Sequence, residues 1–305
     1  MNIGLVCISE ILKKQNKAMA FQTMTRSRFN ALPRQTAIEQ LSGRILHNAR
    51  LSGLIIRHCA QSGIKHYRIS SSLFPLITDE TLNLLYSDLP DWAEIQEALQ
   101  QAGDDARRLN VTLSSHPDQF NVLPSLNPST VRKTIAELNH QSYVLDLFGC
   151  AQNYSAPMCL HLNLSIDPAK DSLMDYLIRF RNAFNQCSVG VRRRLVLENE
   201  DKGFWNCENL YKYFNPFPLV FDNLHDAVNP SSFCHFNLFK NTWGNFVPVM
   251  HWSEGTPDKP RSHAEFASCI PLVVQNNADC VWEFELKGKD CAIAKVLKGN
   301  VPFAV

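Results

Sequence analysis

Short apolar runs alternate with longer amphipathic stretches along the whole chain. Eight runs have the length and the branched or aromatic content of strands: 2–7, 65–70, 111–116, 158–162, 194–198, 219–222, 247–252 and 280–286. The stretches between them predict helices over 36–62, 92–108, 128–148, 168–185, 207–213, 262–275 and 292–297. Asn127-Pro128-Ser129 is a helix start with proline in the first turn. Gly53 is where the first long helix would kink or divide. The stretch 9–33 is polar and basic without helical period, and a connection of that length inside a compact domain usually carries function.

Strands separated by helices predict parallel βαβ units. Eight such units in 305 residues match an α/β fold of the (β/α)8 TIM-barrel type, a single domain over 1–305 with a basic loop at about 9–34. A doubly wound open sheet satisfies the same alternation. The first strand, however, is followed by no Gly-x-Gly-x-x-Gly or Walker pattern, which removes the main reason to prefer a nucleotide-binding sheet. The segment Asn215-Pro216-Phe217-Pro218 reads as a tight helix-to-strand connection.

In a parallel barrel the carboxyl ends of all strands open on one rim, so residues distant in sequence meet there. The apolar runs end on His116, His161, Glu198, Asp222 with His225, His251 and Glu285. A carboxylate entering an apolar strand is costly unless paired or coordinated. Glu198, Asp222 and Glu285 all show that conflict, and together with the imidazoles they form a ligand set for divalent transition metals. His263 follows the seventh strand and completes a third site. His47, His58 and His140 fall on helices, His235 in a loop and His66 at the far end of its strand; these are read as structural or surface residues. No Gly-x-Ser-x-Gly elbow and no Cys-His nucleophile pairing is visible, so metal-assisted attack at a phosphodiester is the chemistry favoured.

Composition narrows the setting. The hydrophobic fraction of 45% suits a protein with a real core, no run has the length of a membrane span, and the N-terminal residues lack a signal-peptide pattern. Ten scattered cysteines without C-x-x-C spacing read as reduced thiols of an intracellular protein, not as a disulfide framework or a structural zinc site. The net charge of +1 excludes a generally basic nucleic-acid binder, yet Lys13, Lys14, Lys17, Arg26, Arg28 and Arg34 occur in 11–34 with no acid among them. That patch is either a solvated loop or a phosphate grip.

The segments YRISSSLFPL (67–76), SSHPDQFNVL (114–123), LHLN (160–163), LENED (197–201), FDNLHDAVNP (221–230), MHWSEG (250–255) and ELKGKD (285–290) together resemble the UV damage endonuclease family. That family is related in fold to endonuclease IV and the xylose isomerase-like barrels. The resemblance implies a DNA repair enzyme that nicks duplex DNA immediately 5′ to UV photoproducts, leaving a 3′-hydroxyl and a 5′-phosphate, with two or three Mn²⁺ (or Zn²⁺, Mg²⁺ or Co²⁺). It implies that His116, His161 and Glu198 hold one metal, that Glu198, Asp222, His251 and Glu285 hold or bridge a second, and that His225 and His263 hold a third. Glu198 and Glu285 are then the catalytic carboxylates, and Gln119 and Phe120 enter the duplex at the lesion. Arg26, Arg28, Arg68, Lys287 and Lys289 become phosphate contacts. The expected partner is UV-damaged double-stranded DNA, bound by a monomer with no membrane association. Its compartment would be the bacterial cytoplasm or a eukaryotic nucleus. Phe120 stands where some members have tyrosine, Ser72 where some have histidine, and Val249 where some have lysine. Competing readings on the same barrel are an abasic-site endonuclease, a sugar isomerase and a non-catalytic lesion-binding protein.

Overall fold

The structure is a computed structural model that describes residues 1–163 and 172–303. Ten strands occur among the described residues: β1 (Asn2–Val6), β2 (His66–Arg68), β3 (Thr112–Ser114), β4 (Met158–Leu160), β5 (Leu195–Glu198), β6 (Leu219–Val220), β7 (Val249–Trp252), β8 (Gly255–Thr256), β9 (Lys259–His263) and β10 (Val281–Phe284). All eight predicted runs form strands, each trimmed by a few residues at its ends.

The strands order as β3-β2-β1-β10-β7 and β4-β5-β6, with parallel pairing throughout both arcs. Two single parallel bridges, Ser115 to Met158 and Asp222 to His251, join the arcs and close an eight-stranded barrel. Strand alternation puts Trp282 and Phe284 outward, where they pack against Phe236 and Trp252. The same alternation puts Glu283 inward, together with Glu285 just beyond β10. Such interiors are usually filled by branched aliphatic side chains. Here one layer is polar: His66, Ser114 and Glu283 are buried inside it.

Two glycines make close approaches possible. A Cβ on Gly4 would stand 2.9 Å from the His66 ring, and one on Gly103 would stand 1.7 Å from the Phe148 carbonyl oxygen. Bare backbone at Gly4 therefore makes room for a buried imidazole, and at Gly103 lets the Trp92–Arg108 helix lie against the end of the Pro128–Leu147 helix.

The first long helix runs unbroken over Arg34–Gln61, so Gly53 does not divide it. Stretch 9–33 contains two short helices, Glu10–Gln15 and Arg26–Asn30, capped by the Ser9 and Thr25 hydroxyls. The helix predicted over 262–275 is corrected. Residues Lys259–His263 pair antiparallel with Gly255–Thr256 in a hairpin, and only Leu272–Gln275 is helical, starting after Pro271. The start of the helix predicted over 168–185 lies outside the described residues; the described part is Leu173–Gln186.

Candidate metal centre

Each ligand candidate leaves its strand at the carboxyl end. His116 and His161 follow β3 and β4, Glu198 ends β5, His251 lies in β7 and Glu285 follows β10. Asp222 caps the Asn223–Val228 helix, accepting from the His225 amide at 2.7 Å, so one turn aims both residues inward. Asn199 ties the β5 and β6 ends together: its amide oxygen accepts from the Asp222 N–H at 2.8 Å and its amide nitrogen donates to the Asp222 carbonyl at 3.1 Å.

Glu198 is the hub. Its Oε2 lies 3.0 Å from His116 Nε2 and 3.4 Å from His161 Nε2, while its Oε1 lies 3.2 Å from His225 Nδ1 and 3.0 Å from His251 Nδ1. Glu285 Oε1 and Asp222 Oδ2 stand 3.6 Å and 4.0 Å from the same His251 nitrogen. Three donor groups each fit within 4.8 Å: His116 with Cys159, Glu198 and His251; Glu198 with Asp222 and His225; Asp222 with His251 and Glu285. The three acids proposed from sequence thus converge. His263 belongs to none of these groups. Its Nδ1 donates to the Glu285 carbonyl oxygen at 2.5 Å, and the ring lies at the edge of the same cavity.

The donor set fits divalent cations. Glu198 Oε1, Asp222 Oδ2, His161 Nδ1 and both ring nitrogens of His251 are buried and have no aligned hydrogen-bond partner among the described residues. Buried nitrogen and oxygen groups thus face one another across about a hydrogen-bond length without an aligned bond, an arrangement that a cation between them, or protons in its place, would satisfy. Without a cation, protons on the imidazoles balance the acids. Burial favours neutral Glu198, but His251 and His161, joined by His116 and His225, hold its carboxyl well below the usual range. Burial likewise opposes a charged His251, but Glu198 and Glu285 raise it well above an ordinary imidazole. At Asp222 burial, helped by Glu198 and Glu285, raises the carboxyl against the pull of His225. At His116 burial wins and lowers the ring.

Beneath this layer lies a second one. Glu283 Oε1 accepts from Ser114 Oγ at 2.5 Å and lies 2.9 Å from His66 Nε2; its Oε2 pairs with Arg68 Nη1 at 2.9 Å. Arg68 also contacts the Glu285 carboxylate. Arg68, expected as a phosphate contact, is therefore placed inside the barrel mouth between two acids. His66, expected at the far rim, is wholly buried in this network. Val249, in the lysine position of some relatives in the resemblance, pairs in register with Val281 in the barrel wall.

A cavity of about 660 Å³ opens over the cluster, lined by Arg68, His116, His161, His225, His263 and Glu285 together with Gln119 and Phe120. Phe120 is 80% exposed, at the wall of this cavity. Arg26 pairs with Asp79 at 2.8 Å, and Arg28 is exposed two residues further along the same short helix. Lys287 is exposed and donates to Ser262 Oγ at 2.9 Å. Lys289 is half-buried: burial lowers its ammonium, with Arg68 adding to the effect.

Sequence reasoning missed Glu200, Cys159, Glu283 and Asn199. Glu200 Oε1 lies 3.5 Å from His161 Nδ1, and Cys159 Sγ lies 3.4 Å from Glu198 Oε2. The signal for Glu283 was present: in VWEFEL the two acids are spaced by the strand period, so both share one face.

A family model described as UV-endonuclease UvdE matches residues 1–303. A UV DNA damage endonuclease of Nostoc sp. is 28% identical over 305 residues, covering 96% of this chain and 88% of that protein. One of Bacillus cereus is 27% identical over 296 residues, covering 90% of this chain and 88% of that protein. The solved structure of SacUVDE is similar with a TM-score of 0.79 at 24% identity, covering 98% of this chain and 99% of that one. An L-ribulose 3-epimerase structure reaches 0.52 at 11% identity, with 94% of this chain and 82% of that one covered. The two structural likenesses show that the chain shares the barrel fold of these proteins.

Proposed function

The chain belongs to the UV-endonuclease UvdE family, and from that premise we propose that it nicks duplex DNA immediately 5′ to UV photoproducts. Its substrates are cyclobutane pyrimidine dimers and 6-4 photoproducts, with abasic sites as a further class, and its products carry a 3′-hydroxyl and a 5′-phosphate. The observation that carries this reading is that one cavity is lined both by the ligand candidates His116, His161, His225, His263 and Glu285 and by the exposed pair Gln119 and Phe120.

His116, His161 and Glu198 would hold one divalent ion, Glu198, Asp222, His251 and Glu285 a second, and His225 with His263 a third, the ions being Mn²⁺, Zn²⁺, Mg²⁺ or Co²⁺. Bound there, such ions supply Lewis acidity toward the phosphate and make water a nucleophile near neutral pH. Glu198 shares its two carboxylate oxygens between the ligand groups and sets their spacing. Arg68 stays out of the DNA groove; its guanidinium holds Glu283 and Glu285 in place. Phe120 enters the stack where a photoproduct has already weakened it, so opening is cheaper at damage than elsewhere and selectivity needs no base reading. Arg28, Lys287 and the Arg26 end of the basic loop grip flanking phosphates.

The test is a nicking assay with Mn²⁺ on defined photoproduct, abasic and undamaged duplexes. The reading requires cleavage 5′ to the photoproduct, sparing of undamaged duplex and loss of cleavage with chelator. Equal cleavage of all duplexes, or indifference to chelator, overturns it.

A further inference from the structure

The strands that deliver the imidazoles also bring a sulfur among them. Cys159 lies in β4 two residues before His161, hence on the same inward strand face. Its Sγ stands 3.4 Å from Glu198 Oε2, and one donor atom each from His116, Cys159, Glu198 and His251 lie within 4.8 Å of one another. Cys159, Glu198 and His251 are 5%, 1% and 1% exposed. Independently of the sulfur, Glu198 Oε1 and His251 Nδ1, 3.0 Å apart, are buried there without an aligned hydrogen-bond partner among the described residues.

We propose that Cys159 is a metal ligand, which makes this corner a mixed sulfur, nitrogen and oxygen site for a thiophilic divalent cation such as Zn²⁺ or Co²⁺. The proposal deepens the reading of the cluster as a metal centre and rests on it. Two imidazoles, one carboxylate and one thiolate make up a four-donor set of the size and chemistry that tetrahedral zinc takes. A site of imidazoles and carboxylates alone discriminates poorly among first-row metals, whereas one soft ligand biases it against manganese. Formation of the sulfur–metal bond uses the electron pair left when the thiol proton departs to solvent; nothing is oxidised or reduced. The corner then differs from the Asp222, His225 and Glu285 side, where only oxygen and nitrogen donors meet.

The bland alternative is a thiol that merely donates a hydrogen bond to Glu198. Serine preserves that bond and removes the soft ligand, so Cys159→Ser separates the two. The purified protein, Cys159→Ser, Cys159→Val and the control Cys7→Ser (Cys7 lines the cavity but stands outside the four-donor group) are titrated with Cd²⁺ and with Mn²⁺. The unsubstituted chain and Cys7→Ser should develop an ultraviolet sulfur-to-cadmium charge-transfer band. Both Cys159 variants should lack it and bind Cd²⁺ about tenfold or more weakly, with Mn²⁺ affinity changed by less than about threefold. Cadmium NMR of the unsubstituted chain gives a variant-free reading, since a sulfur ligand moves the resonance strongly downfield. A band retained in Cys159→Ser, or its absence in a chain that still binds Mn²⁺, overturns the sulfur ligand and leaves the metal centre standing. Failure to bind either ion overturns both.

Discussion

Nε2 of His251 stands 3.2 Å from Oε2 of Glu283, its neighbour in register across β7 and β10. The pair links the two polar layers: Nδ1 of the same ring faces Glu198, and the same carboxylate also serves Arg68 and His66. A carboxylate behind a ligand imidazole fixes ring orientation and strengthens the ligand.

Glu283→Ala leaves Arg68 and His66 buried beside a lost partner, and we expect it to cost about 3–5 kcal/mol of stability. Glu283→Gln keeps the shape and should cost less, yet weaken metal binding by about 10- to 100-fold. Denaturant unfolding and a metal titration measure the two effects. Unaltered metal affinity in Glu283→Gln would detach the lower layer from the centre.

Glu198→Gln keeps the side-chain outline and removes the charge that the imidazoles surround. Nicking should fall by at least about a hundredfold, as when a group that stabilises developing charge is lost, while photoproduct DNA is still retained in a gel-shift assay. A variant that nicks at near-normal rate removes Glu198 from its sharing role.

Phe120→Ala deletes a ring that is 80% exposed, so global stability should move by less than about 0.5 kcal/mol. If the ring stacks in the opened duplex, affinity for damaged DNA should drop by about 1–3 kcal/mol, and that for undamaged DNA much less. The ratio of the two dissociation constants decides; an unchanged ratio argues against insertion.

Much of this was legible in the sequence, and the reason is local. A strand buried on both faces must be apolar, so a charge at its end stands out, and Glu198, Asp222 and Glu285 were found that way. The hairpin over 255–263 was not, because its GTPDKPRSH run carries prolines and charges and is held by only one antiparallel pairing. His66 was misplaced because nothing within β2 reveals that Gly4, on the neighbouring strand, leaves space for its ring. Cys159 was set aside as a packing thiol because its neighbours come from β3, β5 and β7, which only the folded barrel assembles.

Outside the cluster, Asp290 accepts from Ser9 Oγ and from the Glu10 and Ile11 amides, and lies 3.0 Å from His58 Nε2. Burial raises its carboxyl, but His58, Ser9 and the Ile11 amide outweigh it and hold the group below the usual range. Its stabilisation is therefore present above the unfolded carboxylate pKa and lost as the pH falls through the lower folded one. Asp290→Asn should be less stable than the unsubstituted chain by about 1–3 kcal/mol at neutral pH. The gap should narrow progressively once the pH falls below the ordinary carboxylate range. A gap independent of pH, in unfolding curves across that range, refutes the assignment.

The barrel has two seams, each stitched by one bridge: Ser115 to Met158 and Asp222 to His251. His161, Glu198, Asp222 and His225 stand on the three-stranded side, while His116, His251 and Glu285 stand on the other. Any ion held by both groups rivets the halves across their weakest joints. Occupancy of the centre and cohesion of the scaffold then become one property, and exchange of the amides that cross the seams, Ser115, Cys159 and His251, should slow on metal loading. Exchange there that ignores the metal would mean the wall is sealed without its rivet.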